Sequence, residues 1–242
     1  MLTVYIIRHA QSANNALDDQ TQRLADPPLT ALGVEQTKYL AAYLGQGDSR
    51  DMEVDFRSGF SIRHGLTSFG ITHLYCSAMH RALQTAQPVA QAIGVMPEVW
   101  LDLHEVGGIY LDGSNGRNGQ PGKTRLEIEA EFAGFAIPDA FIPDGWWGVA
   151  RGYEERAEAL ARAQRLAESL RERATTDDTV ALITHGTFSD RLLKVLLGQE
   201  DTHGFYYMLY NASITRLDFL DETRILVRYI NRIDHMPAEL MS

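Results

Sequence analysis

The sequence predicts an α/β protein, a three-layer αβα sandwich with a mostly parallel central sheet and helices on both faces. Two observations predict it. Short apolar runs rich in β-branched residues are followed by stretches with apolar residues at helical spacing, and three of those runs stop at residues able to do chemistry. A strand–helix succession of this kind folds as parallel strands covered on both sides, with ligands bound beyond the carboxyl ends of the strands.

Taken in order, Leu2 to Ile7 is continuous and β-branched and stops at Arg8-His9, as a strand buried on both faces does. Thr30 to Leu44 carries Leu32, Tyr39, Leu40 and Tyr43 at helical spacing, with Pro27-Pro28 before it and Gly45 after it. Residues 46–70 show no clear period and read as an excursion from the core. Ile71 to Tyr75 is a second strand, Ser77 a candidate N-cap, and Met79 to Ile93 a helix ended by Gly94. Glycines with Asn115, Asn118 and Pro121 make 107–124 a loop, and Arg125 to Phe132 a short helix. Glu154 to Arg173 is the clearest helix, with Ala157, Leu160, Gln164, Ala167 and Leu170 along one side. Thr179 to Thr184 is a third strand, followed by a helix from Thr187 to Leu197 closed by Gly198. Ser213 to Leu220 and Arg224 to Ile230 alternate as two strands joined by a turn at Asp221-Glu222-Thr223.

Composition narrows the classes of partner. At 242 residues and 45% hydrophobic the chain can bury a full core, and one domain over 1–242 is expected, with insertions at about 46–70 and 106–150. A net charge of −10 argues against nucleic acid and anionic membrane, because both need a net basic face. The lone Cys76 allows no internal disulfide, no Cys/His spacing suggests a metal site, and no segment approaches the length of a membrane span. The expectation is a cytoplasmic protein without metal or cofactor; monomer and homodimer both remain open.

The three strand ends bear Arg8-His9, Cys76-Ser77 leading to Arg81, and His185-Gly186. If the strands are parallel, these meet. Two histidines and two arginines brought together make a pocket for a dianion, since guanidinium forks bind phosphate oxygens and imidazole supplies a nucleophile or a donor. Such a local positive cluster is what an anionic small substrate requires of an acidic chain. His64, His73, His80, His104, His203 and His235 lack ligand spacing and read as surface or hydrogen-bonded residues. Cys76 reads as a packing residue, and Trp146-Trp147 as packing more than as cleft lining.

The stretches I-I-R-H-A-Q-S-A-N-N (6–15), D-P-P-L-T-A-L-G-V-E-Q (26–36), C-S-A-M-H-R-A-L-Q-T-A (76–86), L-H-E (103–105), I-T-H-G (183–186) and N-A-S-I-T (211–215) resemble, in order, those of the histidine phosphatase superfamily. The resemblance implies a phosphoglycerate mutase-like fold and a phosphorylated small-molecule substrate. It implies that His9 is the nucleophile, that Arg8, Arg81 and His185 hold the phosphoryl oxygens, that Asn15 is an auxiliary ligand and that Glu105 is the proton donor. Gln11, Ser12, Gly186 and Thr187 fall beside these as further substrate contacts, and Arg117, Lys123 and Arg125 are candidates to read a second anionic group. Two departures stand out. Ala10 replaces the usual glycine and is expected to narrow the phosphate pocket slightly. H-E-V-G-G-I-Y (104–110) stands where mutases carry Glu-Arg-His-Tyr-Gly, which favours a phosphatase over a mutase; a module that only binds a phosphorylated ligand is the non-enzymatic alternative.

Overall fold

The computed structural model describes residues 1–55, 61–66, 68–141, 143–201 and 204–242, and the side chains of 49–55 and 61–66 lie outside that description. The elements are β1 (Leu2–Arg8), α1 (Ala31–Gln46), β2 (Asp48–Asp55), β3 (Ser61–Leu66), β4 (His73–Cys76), α2 (His80–Ile93), β5 (Pro97–Val99), β6 (Tyr110–Gly113), β7 (Gly116–Gly119), α3 (Arg125–Glu131), α4 (Arg156–Glu172), β8 (Thr179–Thr184), α5 (Gly186–Leu196), β9 (Ile214–Phe219) and β10 (Ile225–Arg232).

Side-chain alternation along β1 and β8 organises everything else, because successive residues of a strand point to opposite faces. Leu2, Val4 and Ile6 with Val180 and Leu182 pack on one face against Ala163, Leu166 and Leu170 of α4 and Phe188, Leu192 and Leu196 of α5. Tyr5 and Ile7 with Ala181 and Ile183 pack on the other, against Leu40 and Leu44 of α1 and Ala82, Leu83, Ala86 and Val89 of α2. Six strands form one mixed sheet in the order β10-β9-β1-β8-β4-β5. β1, β8, β4 and β5 are parallel, whereas β9 is antiparallel to β1 and β10 to β9. The three layers and the C-terminal hairpin thus agree with the reading of the sequence.

The differences lie where hydrophobic periodicity is weak. The excursion at 46–70 contains the antiparallel pair β2–β3, and the glycine-rich loop contains the antiparallel pair β6–β7. In β6–β7 the sequences Tyr-Leu-Asp-Gly and Gly-Arg-Asn-Gly give no alternating pattern, so only the turn at 113–116 marks the hairpin. β5 is three residues long, too short to show a period. Met79, not Ser77, caps α2; the Ser77 hydroxyl accepts from Met79 N at 3.2 Å. α1 continues past Gly45 and stops at Gly47. Trp146 and Trp147 are buried in the core, with Trp147 Nε1 donating to the Gly152 carbonyl at 2.9 Å. Cys76 is fully buried and burial pushes its thiol pKa up, so it is a packing residue. The His64 side chain and His203 lie outside the described residues. Among those described, no helix is long and apolar enough to cross a membrane, and no three His, Cys, Asp or Glu residues gather as metal ligands.

The start of α1 fixes the loop that follows β1. Thr30 Oγ1 accepts from Gly33 N at 3.0 Å and Thr30 N donates to the Gln11 carbonyl at 3.0 Å. A Cβ on Gly33 would fall 2.1 Å from the Gln11 oxygen, so only glycine lets the helix pack this closely. Gly33→Ala is expected to cost about 1–3 kcal/mol in denaturant unfolding, the range for overpacking a tight contact. An unchanged midpoint would show that the helix can shift freely.

Candidate active site

Pairing of β1 with β8 sets Arg8 opposite Thr184, and His9 N continues the ladder by donating to the Thr184 carbonyl at 2.9 Å. The residues after both strands therefore emerge side by side: the His9 and His185 rings lie 4.9 Å apart between centroids. β4 pairs with the far edge of β8, and Arg81 stands in the first turn of the helix that follows it. Parallel topology thus brings three separate segments to one end of the sheet.

His9 is 3% exposed, and its two nitrogens have distinct partners. Nδ1 lies 2.6 Å from the Ala10 carbonyl, which can only accept, so Nδ1 carries the proton. Arg81 Nε donates to Nε2 at 3.1 Å, so Nε2 keeps its lone pair. Burial, reinforced by Arg81 and Arg8, holds the His9 pKa well below its ordinary value. Asn211 Nδ2 and Ala212 N both donate to the His9 carbonyl, at 2.9 and 3.2 Å, which fixes the backbone beneath the ring. His185 is fully buried, burial and then Arg81 lower its pKa too, and neither ring nitrogen has a partner among the described residues.

The guanidiniums are steered by the scaffold. Arg8 Nη1 donates to the Leu209 carbonyl, while its buried Nε has no partner among the described residues. A Cβ on Gly186 would lie 3.3 Å from that Nε, so a glycine at the start of α5 lets Arg8 lie across it. Arg81 faces Asp26 at 3.9 Å; the Asp26 carboxylate also accepts from His80 N at 3.0 Å. Asp26 is therefore what the D-P-P-L-T stretch contributes to the site.

Glu105 closes the opposite wall. Its carboxylate accepts from Val106 N at 2.9 Å, Phe188 N at 2.8 Å and Thr187 N at 3.1 Å, capping the amino end of α5. A buried network fixes its loop. Arg162 donates to the carbonyls of Asp102 and His104 at 2.6 and 2.9 Å and forks onto Glu154 at 2.8 and 2.7 Å. Thr184 Oγ1 donates to the carbonyl of Leu103 at 2.7 Å. Burial pushes the Glu154 carboxyl up, but hydrogen bonds from His104 and Arg162 outweigh it and hold the pKa down to about 2. His104 belongs to this network and not to the surface.

The resulting cleft, about 370 Å³, is lined by Arg8, His9, Ser12, Asn15, Arg81, Glu105 and Thr187, together with Asn14, Gln20, Arg23, Tyr110 and Tyr153. Asn15 Oδ1 accepts from Ser12 N, Ser12 Oγ and Asn211 Nδ2, which leaves Asn15 Nδ2 as its donor. His185 lies behind the wall, beside His9. Four sequence candidates point elsewhere. Gln11 Oε1 accepts from Thr30 Oγ1 at 2.7 Å, and Lys123 pairs with Glu131 at 2.7 Å. Arg125 binds the Ile137 and Pro138 carbonyls, and Arg117 sits outside, 4.3 Å above the Tyr153 ring. Ala10 packs in the core and does not narrow the cleft. Arg23, Tyr110 and Tyr153 escaped the sequence reading; Arg23 lies in the polar run 18–23, which has no period to mark it.

Comparison with known proteins places this architecture. The profile of the histidine phosphatase superfamily (branch 1) matches residues 4–58 and 61–232. A relative from Salmonella arizonae, described as probable phosphoglycerate mutase GpmB, is 34% identical over 230 residues, covering 90% of this chain and 86% of its own. Among solved structures, YhfR of Bacillus stearothermophilus is similar with a TM-score of 0.60 at 21% identity, over 97% of this chain and 99% of its own. A mutant phosphoserine phosphatase of Entamoeba histolytica, solved with phosphoserine, gives 0.59 at 20% identity, over 98% and 100%. The chain belongs to the histidine phosphatase superfamily.

The tautomer and low pKa of His9 have a direct readout. In ¹⁵N-edited spectra the His9 and His185 imidazoles are expected to stay neutral as pH falls from 8 through the ordinary histidine value of about 6.5, because burial and the guanidiniums oppose the cation. Protonation of either ring at or above that value would overturn the assignment.

Proposed function

From membership of that superfamily we propose that the protein is a phosphatase that hydrolyses a small phosphomonoester, without a metal, through a phosphohistidine on His9. The observation that carries this reading is the unprotonated Nε2 of His9, which accepts from Arg81 beside a cleft whose wall includes Arg8, Asn15 and Glu105. Nε2 attacks phosphorus as the ester oxygen departs, and Glu105, once protonated, delivers its proton to that oxygen. A water then attacks the phosphorus, forming an O–P bond as the N–P bond breaks; Glu105 takes the water's proton, and inorganic phosphate leaves with His9 restored. Arg8, Arg81 and the Asn15 amide supply the positive donors that a loose phosphoryl transition state requires, and His185 steadies the ring from behind.

Glu105 has two tasks in this scheme. As a carboxylate it caps α5, and as an acid it must be protonated and reach the leaving oxygen. The transfer therefore exchanges one of its backbone hydrogen bonds for one to substrate. A second reading, return of the phosphoryl group to a sugar acid, is favoured by the naming of relatives as probable phosphoglycerate mutases. Hydrolysis is preferred because position 106 is valine where mutases place arginine, so the acceptor lacks one charged contact beside the acid.

Three measurements decide. Phosphate release from a panel of phosphomonoesters should fall by more than about 10³-fold in His9→Ala and by about 10²–10⁴-fold in Glu105→Gln. Rapid quench with ³²P-substrate should trap an acid-labile, alkali-stable label on wild type and none on His9→Ala. Incubation with 3-phosphoglycerate and a bisphosphorylated primer should release phosphate; isomerisation without net release would establish the mutase instead.

A further inference from the structure

Glu105 begins a tight turn, closed where Gly108 N donates to the Glu105 carbonyl at 3.0 Å. The indole of Trp147 braces this turn at both ends. Just ahead of the acid it packs edge-on against the His104 ring, with centroids 4.8 Å apart. At the end of the turn its six-membered ring covers Gly108 so closely that a Cβ there would fall 2.1 Å from Cζ2 and 2.5 Å from Cη2. One ring therefore spans the stretch of backbone that carries the acid. The ring is itself held from outside: Trp147 is buried, Nε1 donates to the Gly152 carbonyl at 2.9 Å, and Arg151 Cζ lies 3.9 Å over the indole. Glu105 and Gly108 line the cleft, and Trp147 does not.

Such a brace matters because of what Glu105 has to do. At rest its carboxylate accepts from the amides of Val106, Thr187 and Phe188, and those bonds fix where it lies. To deliver a proton it must give up part of that support, and the backbone then has to hold the carboxyl within reach of the leaving oxygen. Misplacing a reacting group by about 1 Å can cost about 10²-fold in rate. Arg162 and Thr184 grip the chain ahead of the acid, through the carbonyls of Asp102, Leu103 and His104. Beyond it, Glu154 N donates to the Gly107 carbonyl at 3.2 Å, and the Trp147 ring stops Gly108. Filling the core requires bulk at position 147, but it does not require a ring edge set against the Cα of Gly108.

We propose that Trp147 is a positioning residue for the proton donor: it holds the turn 105–108 in place while the Glu105 carboxyl leaves the amino end of α5 and meets the leaving-group oxygen. This rests on the phosphatase reading, in which Glu105 delivers that proton. The tryptophan read from the sequence as packing thus acts on the chemistry through Glu105, without meeting the substrate.

The test uses leaving groups of unequal need for a proton. p-Nitrophenyl phosphate and phenyl phosphate share a ring, but nitrophenolate departs readily as the anion whereas phenolate is the stronger base and gains more from protonation. kcat/KM is measured for both esters with the full-length chain, in wild type, Trp147→Phe, Trp147→Leu and Glu105→Gln. It reads only the steps up to departure of the leaving group, so hydrolysis of the phosphohistidine does not enter. The ratio of kcat/KM for phenyl to p-nitrophenyl phosphate should fall at least about 5-fold in Trp147→Phe, which keeps a ring and loses the edge over Gly108, and further in Trp147→Leu. Glu105→Gln should shift the ratio in the same direction, and adding Trp147→Phe to it should shift the ratio no further. Equal loss on both esters in Trp147→Phe would show a merely structural role and overturn the proposal, as would an unchanged ratio. Hydrogen exchange gives a readout that needs no turnover. The amides of Thr187 and Phe188, which donate to Glu105, should exchange at least about 10-fold faster in Trp147→Phe, with a smaller change along β8. Uniform acceleration, or none, sinks the proposal. If wild type hydrolyses neither ester, or if Glu105→Gln leaves the ratio unchanged, the phosphatase reading with Glu105 as acid falls, and the exchange rates alone still decide whether Trp147 holds the Glu105 turn.

Discussion

The hydrogen bond from Arg81 Nε to His9 Nε2 is the constraint on which the site depends. It does two things that act in the same direction. By donating to Nε2 it keeps the lone pair on the nitrogen that faces the cleft, and by placing a cation there it makes protonation of that nitrogen unfavourable. A histidine in water at neutral pH divides its population among two neutral tautomers and a cation. Here one form is selected before substrate arrives, with the Ala10 carbonyl holding the proton on the other side of the ring. That selection needs Arg81 at the start of α2 and His9 at the end of β1, which only the parallel order β1-β8-β4 brings together.

The large features of this arrangement are legible in the sequence because they are written in hydrophobic period. β1 and β8 are continuous apolar runs, so their ends, and with them Arg8-His9 and His185-Gly186, can be placed from composition alone. The hairpins β2–β3 and β6–β7 carry too little apolar alternation to be seen, and β5 is too short. Individual side-chain direction is the harder problem. Gln11 and Ser12 are neighbours, yet Ser12 faces the cleft and Gln11 bonds to the cap of α1, a difference set by a tertiary contact that no local rule encodes. Lys123 and Arg125 attracted notice as cations near the acid, but nearby carboxylates and carbonyls satisfy them first. Arg23 passed unnoticed because its significance comes from Tyr110, 87 positions away.

His185 shows a third kind of distance between pattern and geometry. Its motif suggests a direct phosphate contact; its ring is fully buried beside His9, and neither nitrogen has a partner among the described residues. A ring so placed packs against that of His9, 4.9 Å between centroids.

The network of His104, Glu154 and Arg162 carries a consequence for how such a chain can change over time. Arg162 projects from the inner face of α4, yet it grips the carbonyls on either side of Leu103, just ahead of Glu105, and lies 4.0 Å over the ring of Phe188 in α5. The position of Glu105 is thus written partly in a helix that contributes no residue to the lining of the cleft. Drift along the outer face of α4 is free, but drift along its inner face alters turnover without touching a residue that meets the substrate. Two descendants with identical cleft walls can therefore differ in catalytic rate, and the difference would be sought in vain among the residues of the pocket.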